Sequence, residues 1–105
     1  MTMTISRDEL MALAREALSG ALDERGKAAP DDLGPETPIF GRGALLDSLG
    51  LATLVMELEA RIEEAHDVTV VIADDRAMSR RNSPFRTLAS LVDYVEERLR
   101  EAERG

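Results

Sequence analysis

The tripeptide Asp47-Ser48-Leu49 stands at the mouth of an apolar helical pattern, within the stretch "ALLDSLGLATLVMELEARI" from Ala44 to Ile62. A serine in that place admits three kinds of chemistry. It can cap the helix, since Asp and Ser both accept the N–H groups that a helix start leaves free. It can act as a nucleophile, provided that a base and an orienting acid lie within reach. It can also accept a phosphoester, because free N–H groups and the positive dipole end suit a phosphate. Nucleophilic catalysis is the weakest of these. His66 is the only histidine, and about five helical turns separate it from Ser48 along one helix. His66 itself reads as a solvated helix-end residue favoured by the negative end of the dipole. With no cysteine in the chain, disulfides and thiolate metal sites are excluded. Neither a catalytic residue nor a metal ligand is expected, and the chain is not expected to be an enzyme.

The elements that must position Ser48 follow from hydrophobic spacing. Ser6 with Glu9 fits a capping box, and Leu10, Leu13, Ala14, Ala17, Leu18 and Ala21 then recur at three and four residues. That predicts a helix over 6–26, fading near Gly26. From Ala29 to Gly43 the chain is rich in Pro and Gly, a long loop that Leu33, Ile39 and Phe40 would pin to the core. A second helix is predicted over 47–65, starting at Asp47 or Ser48. Leu51, Leu54, Val55, Leu58 and Ile62 share its core stripe. Leu49, Ala52 and Met56 form a second stripe, ringed by Glu57, Glu59, Glu63 and Glu64. Met56 could fill a core gap, but an apolar stripe among acids also reads as an interaction surface. Gly50 would keep the first turn uncrowded and let another backbone approach.

The segment "DVTVVIADD", Asp67 to Asp75, is the one strand-like stretch, and no partner strand is visible. It is expected to run extended across the helices, burying Val68, Val70 or Ile72. A short helix is expected in the 74–82 region, near Asp74–Met78. A last helix is predicted over 87–101 from Leu88, Leu91, Val92, Val95 and Leu99, with the tail "REAERG" frayed. The expected fold class is all-α, a small bundle of three main helices plus a short one. Its core is expected to hold Leu13, Leu18, Leu51, Leu54, Val55, Leu58, Ile62, Leu88, Leu91, Val92 and Val95.

Composition agrees. The 105 residues suit a single domain, 1–105. Phe40, Phe85 and Tyr94 are the only aromatics, so the core must come from aliphatic residues, which favours packed helices over a sheet. A net charge of −8 argues against nucleic acid as a partner. The charge is also segregated: residues 47–75 hold eight acids and one Arg, whereas Arg76, Arg80, Arg81 and Arg86 sit in an acid-free run over 76–86. That run reads as a solvated link or a second partner contact. No segment approaches the roughly 20 apolar residues of a membrane span. Acids inside the first apolar pattern argue against a signal peptide, so a cytoplasmic protein is expected.

With these elements in place, "LLDSLGLATLVMELEARI" resembles the Asp-Ser-Leu helix of acyl carrier proteins, matching without a gap from Asp47 to Ile62. The loop with "TPIF" before the serine and "FRTLASLVDYV", Phe85 to Val95, extend the resemblance to roughly residues 6–99. It implies that Ser48, preceded by Asp47, bears 4′-phosphopantetheine, whose thiol carries acyl or aminoacyl cargo as a thioester. It also implies a partner face of Leu49, Ala52 and Met56 with Glu57, Glu59 and Glu63 as acidic rim. The implied partners are a phosphopantetheinyl transferase, an acyl or aminoacyl ligase and downstream acyl-transferring enzymes, met by a monomeric carrier. Gly50 and Thr53 stand where typical fatty-acid carriers have acids, which points to a discrete carrier for a dedicated pathway. The alternative reading is an unmodified helical adaptor that binds partners through the same face.

Overall fold

The computed structural model describes residues 5–40, 44–72 and 84–104. Among the described residues three helices carry the fold: α1 (Arg7–Glu24), α2 (Ser48–His66) and α3 (Leu88–Arg104). Among the described residues no strand forms, only two isolated bridge pairs, Pro38 with Thr87 and Phe40 with Leu46. The molecule is a small all-α bundle, as the spacing predicts. No helix among the described residues is long and apolar enough to cross a membrane.

Each helix boundary has a local cause. Ser6 caps α1 by accepting the Glu9 N–H at 3.1 Å. At the other end Gly26 takes a φ of +73°, which only glycine adopts freely. The Gly26 N–H then reaches the Asp23 carbonyl at 3.0 Å and the Lys27 N–H the Leu22 carbonyl at 2.9 Å, a Schellman closure of the last turn. α3 opens on a reciprocal cap, with the Ser90 N–H on Thr87 Oγ1 at 3.1 Å and the Thr87 N–H on Ser90 Oγ at 3.0 Å. The tail does not fray where expected: α3 continues to Arg104, and Arg98 pairs with Glu101 at 2.8 Å one turn on.

α1 is the shared wall, packing against both α2 and α3. Ala14, Ala17 and Ala21 are fully buried on its inner face, and such small side chains let neighbouring helices come close. Leu13 corrects the expected core. It is only half-buried, because at 100° per residue it lies on the flank of a face centred on Ala14 and Ala21. Met11 and Leu22 are buried instead. The other ten predicted core residues are buried as expected.

The connecting segments fill and fasten the rest. The loop before α2 ties two helix starts together. Its Pro35 and Thr37 carbonyls accept the Ala89 and Leu88 N–H groups, at 2.7 and 3.2 Å. Ile39 is fully buried; its N–H reaches the Arg86 carbonyl at 2.9 Å, while its own carbonyl accepts the Leu46 N–H at 3.0 Å. Leu33 and Phe40 pack half-buried beside it. After α2 the chain turns at Asp67 in the left-handed region and continues without regular structure to residue 72, with Val70 and Ile72 buried and Val68 half-buried. One peptide unit of this strap is clamped from both sides. Glu59 of α2 accepts the Ile72 N–H at 2.8 Å, and Arg98 of α3 donates to the Val71 carbonyl at 2.9 Å. The expected short helix near 74–82, with Arg76, Arg80 and Arg81, lies outside the described residues.

Candidate functional site

The site grows from the N-terminus of α2. Asp47, not Ser48, is the cap: it is extended, and its Oδ1 accepts the Gly50 N–H at 2.8 Å. Its Oδ2 takes a charge-assisted bond from Arg25 at 2.6 Å. The Gly50 hydrogen bond, then the charges of Arg25 and Lys27, hold the Asp47 carboxyl below the usual carboxylate range. Both oxygens are therefore engaged and the group is a poor base. Ser48 follows as the first helical residue. The first N–H groups of any helix lack a partner within the helix, those of Ser48 and Leu49 included. Those donors and the dipole behind them remain available to an anion.

Gly50 is buried rather than open. A Cβ there would lie 2.9 Å from Leu46 Cδ2 and 3.3 Å from both Arg25 Cδ and Asp47 Oδ1. The expectation of a second backbone approaching is thus corrected. What approaches is the Arg25 side chain, laid across the first turn of α2 with its guanidinium on Asp47. The Schellman turn at Gly26 makes this possible, since it brings Arg25 and Lys27 round to the start of α2.

Along α2, Leu49 is 67% exposed and Met56 69% exposed, with Ala52 and Ala60 also exposed between and beyond them. Met56 does not fill a core gap. Thr53, beside this stripe, turns its hydroxyl back onto the Leu49 carbonyl at 3.2 Å. No family model, curated protein sequence or solved structure matches this chain. The function must be argued from these residues.

The acids foreseen as one rim divide by task. Glu63 and Glu64 are exposed on the stripe's far end. Glu57 is half-buried and faces Arg61 at 3.4 Å beside Gly20 of α1, and Glu59 is the clamp on Ile72. Glu57 and Glu59 thus lie on opposite flanks, each already occupied within the molecule. His66 is also corrected. It is not solvated; its half-buried ring meets the Glu9 carboxylate across α1 and α2. Being at the far end of α2, it sits about 27 Å of helix axis from Ser48. Arg25 and Lys27 are the functional candidates that sequence reasoning missed. The signal was present in Gly26, which closes α1 and so decides where the next residues point.

Proposed function

We propose that this chain is a carrier protein: Ser48 takes a 4′-phosphopantetheine arm through a phosphodiester, and partner enzymes meet the cargo over α2. The observation that carries this reading is the Asp47–Ser48 step at the start of α2, immediately followed by a solvent-facing apolar stripe. The residues present suit the arm's attachment. The free N–H groups of the first turn and the neighbouring Arg25 and Lys27 favour a phosphodiester there. When bound, the arm supplies a thiol that holds acyl or aminoacyl groups as thioesters.

The chain's own residues position and solubilise. Asp47 fixes the helix start and is a poor base for the Ser48 proton, because the Gly50 hydrogen bond and the nearby cations hold its carboxyl below the usual range. His66 is a helix length away and meets Glu9. The base for esterification therefore comes from the transferase: the Ser48 oxygen would displace adenosine 3′,5′-bisphosphate from the pyrophosphate of coenzyme A, and bond chemistry on the cargo comes from the ligase and acyl-transferring enzymes. Ser90 is poorly suited as the acceptor. Its hydroxyl is spent on the α3 cap and on the Pro84 carbonyl at 2.9 Å.

The test is intact mass. Incubation with coenzyme A, magnesium and a permissive phosphopantetheinyl transferase should add one phosphopantetheinyl group, and Ser48→Ala should add none. No addition with several transferases would sink the carrier reading and favour the unmodified adaptor, which the exposed Leu49 and Met56 also suit.

A further inference from the structure

Among the described residues α1 packs against both α2 and α3, whereas those two helices do not pack on one another. The chain on either side of α2 joins them instead. The loop before α2 holds both helix starts, through Leu46 on Ile39 and through Leu88 and Ala89 on Thr37 and Pro35. The strap after α2 makes a second tie, held by Glu59 and Arg98. Those two residues stand well inside their helices, roughly 15–17 Å along each axis from Ser48 and Leu88. The ties therefore lie at different heights of the bundle.

A single amide carries the second tie. Its N–H belongs to Ile72 and donates to the Glu59 carboxylate at 2.8 Å. Its carbonyl belongs to Val71 and accepts from Arg98 Nε at 2.9 Å. A peptide group is planar and rigid, so both side chains grip one body. The charges also agree with its dipole, the anion at the N–H and the cation at the carbonyl. Each polarises the amide in favour of the other. Glu101 orients Arg98 from the next turn, at 2.8 Å. Ile72 is fully buried while Val71 is exposed, which sets the strap's inner and outer sides.

We propose that Glu59 and Arg98 form a two-charge latch on the Val71–Ile72 peptide, closing the seam between α2 and α3. Loss of either charge loosens the hold of the other. The strap then leaves the core, and α2 and α3 keep only α1 and the tie at their starts between them. The latch needs neither an arm on Ser48 nor a partner, so it stands or falls apart from the carrier reading.

Amide hydrogen exchange at Ile72, followed by NMR on the full chain, reads the latch directly. Glu59 and Arg98 are remote from Ile72 in sequence, so substituting them leaves its intrinsic exchange chemistry alone and a faster rate reports opening. Glu59→Ala should speed Ile72 exchange about ten- to a hundredfold, the worth of a hydrogen bond to a charged group. Arg98→Met keeps an apolar stem and leaves the Glu59 bond in place, yet it should speed Ile72 about three- to tenfold. The double variant should exchange within about twofold of Glu59→Ala, because the latch is already open. Glu59→Gln and Arg98→Lys should show the same pattern at smaller size, and they replace the truncations if either fails to fold. The Leu54 and Leu91 amides, inside α2 and α3, should speed far less than Ile72. If Arg98→Met leaves Ile72 unchanged, or the two single effects multiply in the double variant, the bonds are independent and the latch is refuted. Equal acceleration at Leu54, Leu91 and Ile72 would also overturn it, because the strap would then open only with the whole fold.

Discussion

Two glycines in this molecule should respond with opposite sign to the same substitution, and the contrast tests how the Ser48 end of α2 is built. Gly20 lies inside α1, where Ala is favoured over Gly by about 1 kcal/mol. A Cβ there meets Glu57 Oε2 at 3.2 Å and nothing else closer than 3.7 Å. The Glu57 carboxylate ends a flexible, part-exposed side chain and can give by a few tenths of an ångström. Gly20→Ala should therefore stabilise, by up to about 1 kcal/mol, or a rise in Tm of up to about 8 °C for a domain of this size. Gly50 stands in the first turn of α2, where the propensity gain is smaller. Its Cβ would press Leu46 Cδ2 at 2.9 Å, and Leu46 is only 4% exposed. It would also crowd Arg25 and the capping oxygen of Asp47, both at 3.3 Å. Overpacking of this kind costs about 1–3 kcal/mol, which exceeds the gain. Gly50→Ala should lose about 1 kcal/mol net, a Tm fall of about 4–8 °C. Thermal unfolding followed by circular dichroism reads both variants. A Gly50→Ala protein as stable as the parent would refute the packing of Arg25 and Leu46 on this turn.

Because Asp47 is the cap, Ser48→Ala should change stability by less than about 0.5 kcal/mol in urea unfolding, although it removes the proposed attachment site. A larger loss would mean that Ser48 also caps. Asp47→Asn keeps a good capping side chain but loses the charge that Arg25 meets. The folded-state pKa of Asp47 is depressed, so its contribution is present above the unfolded carboxylate value of about 4 and is lost as pH falls through the lower folded value. The stability gap between Asp47→Asn and the parent should accordingly be open at pH 7 and narrow below about pH 4; a gap constant with pH would contradict the assignment. Glu59→Ala strands the Ile72 N–H inside the strap and should cost about 1–3 kcal/mol. Glu59→Gln, which keeps an acceptor, should cost less, and Glu63→Ala should lie within about 0.5 kcal/mol of the parent. Equal effects at Glu59 and Glu63 would show that the strap is not clamped from α2.

Much of the fold was legible because it depends on spacing. The apolar stripes of all three helices, the anchoring of the long loop by Ile39 and the unpaired course of Val68 to Ile72 follow from periods of 3.6 and 2 and from the lack of a partner strand. What spacing cannot report is which neighbour a polar side chain chooses. Glu57, Glu59 and Glu63 all border the apolar stripe on a helical projection, yet one faces Arg61, one holds a backbone N–H thirteen residues away and one is left in solvent. His66 reads as a solvated helix end until α1 brings Glu9 against it. Leu13 shows the same limit on the apolar side, since a residue at the margin of a stripe is buried only if a neighbouring element covers that flank.

The division of the acids bears on how a small carrier would work. A carboxylate next to an acceptor serine invites the role of base, but here helix geometry has already committed it: one oxygen closes the first turn and the other holds Arg25. A carboxylate held below its usual range in this way is a poor base for the Ser48 proton. On the proposed carrier reading the chemistry arrives with the partner, which finds the serine by what surrounds it. What surrounds it is an apolar stripe long enough to dock on, with Lys27 at one end and Glu63 and Glu64 at the other. Glu59 already holds Ile72 through Oε2, so a partner that drew this carboxylate away would loosen the strap between α2 and α3 as it bound. The exposed acids give recognition without that cost, which is why charge reversal for docking belongs at Glu63 and Glu64 and not at Glu59.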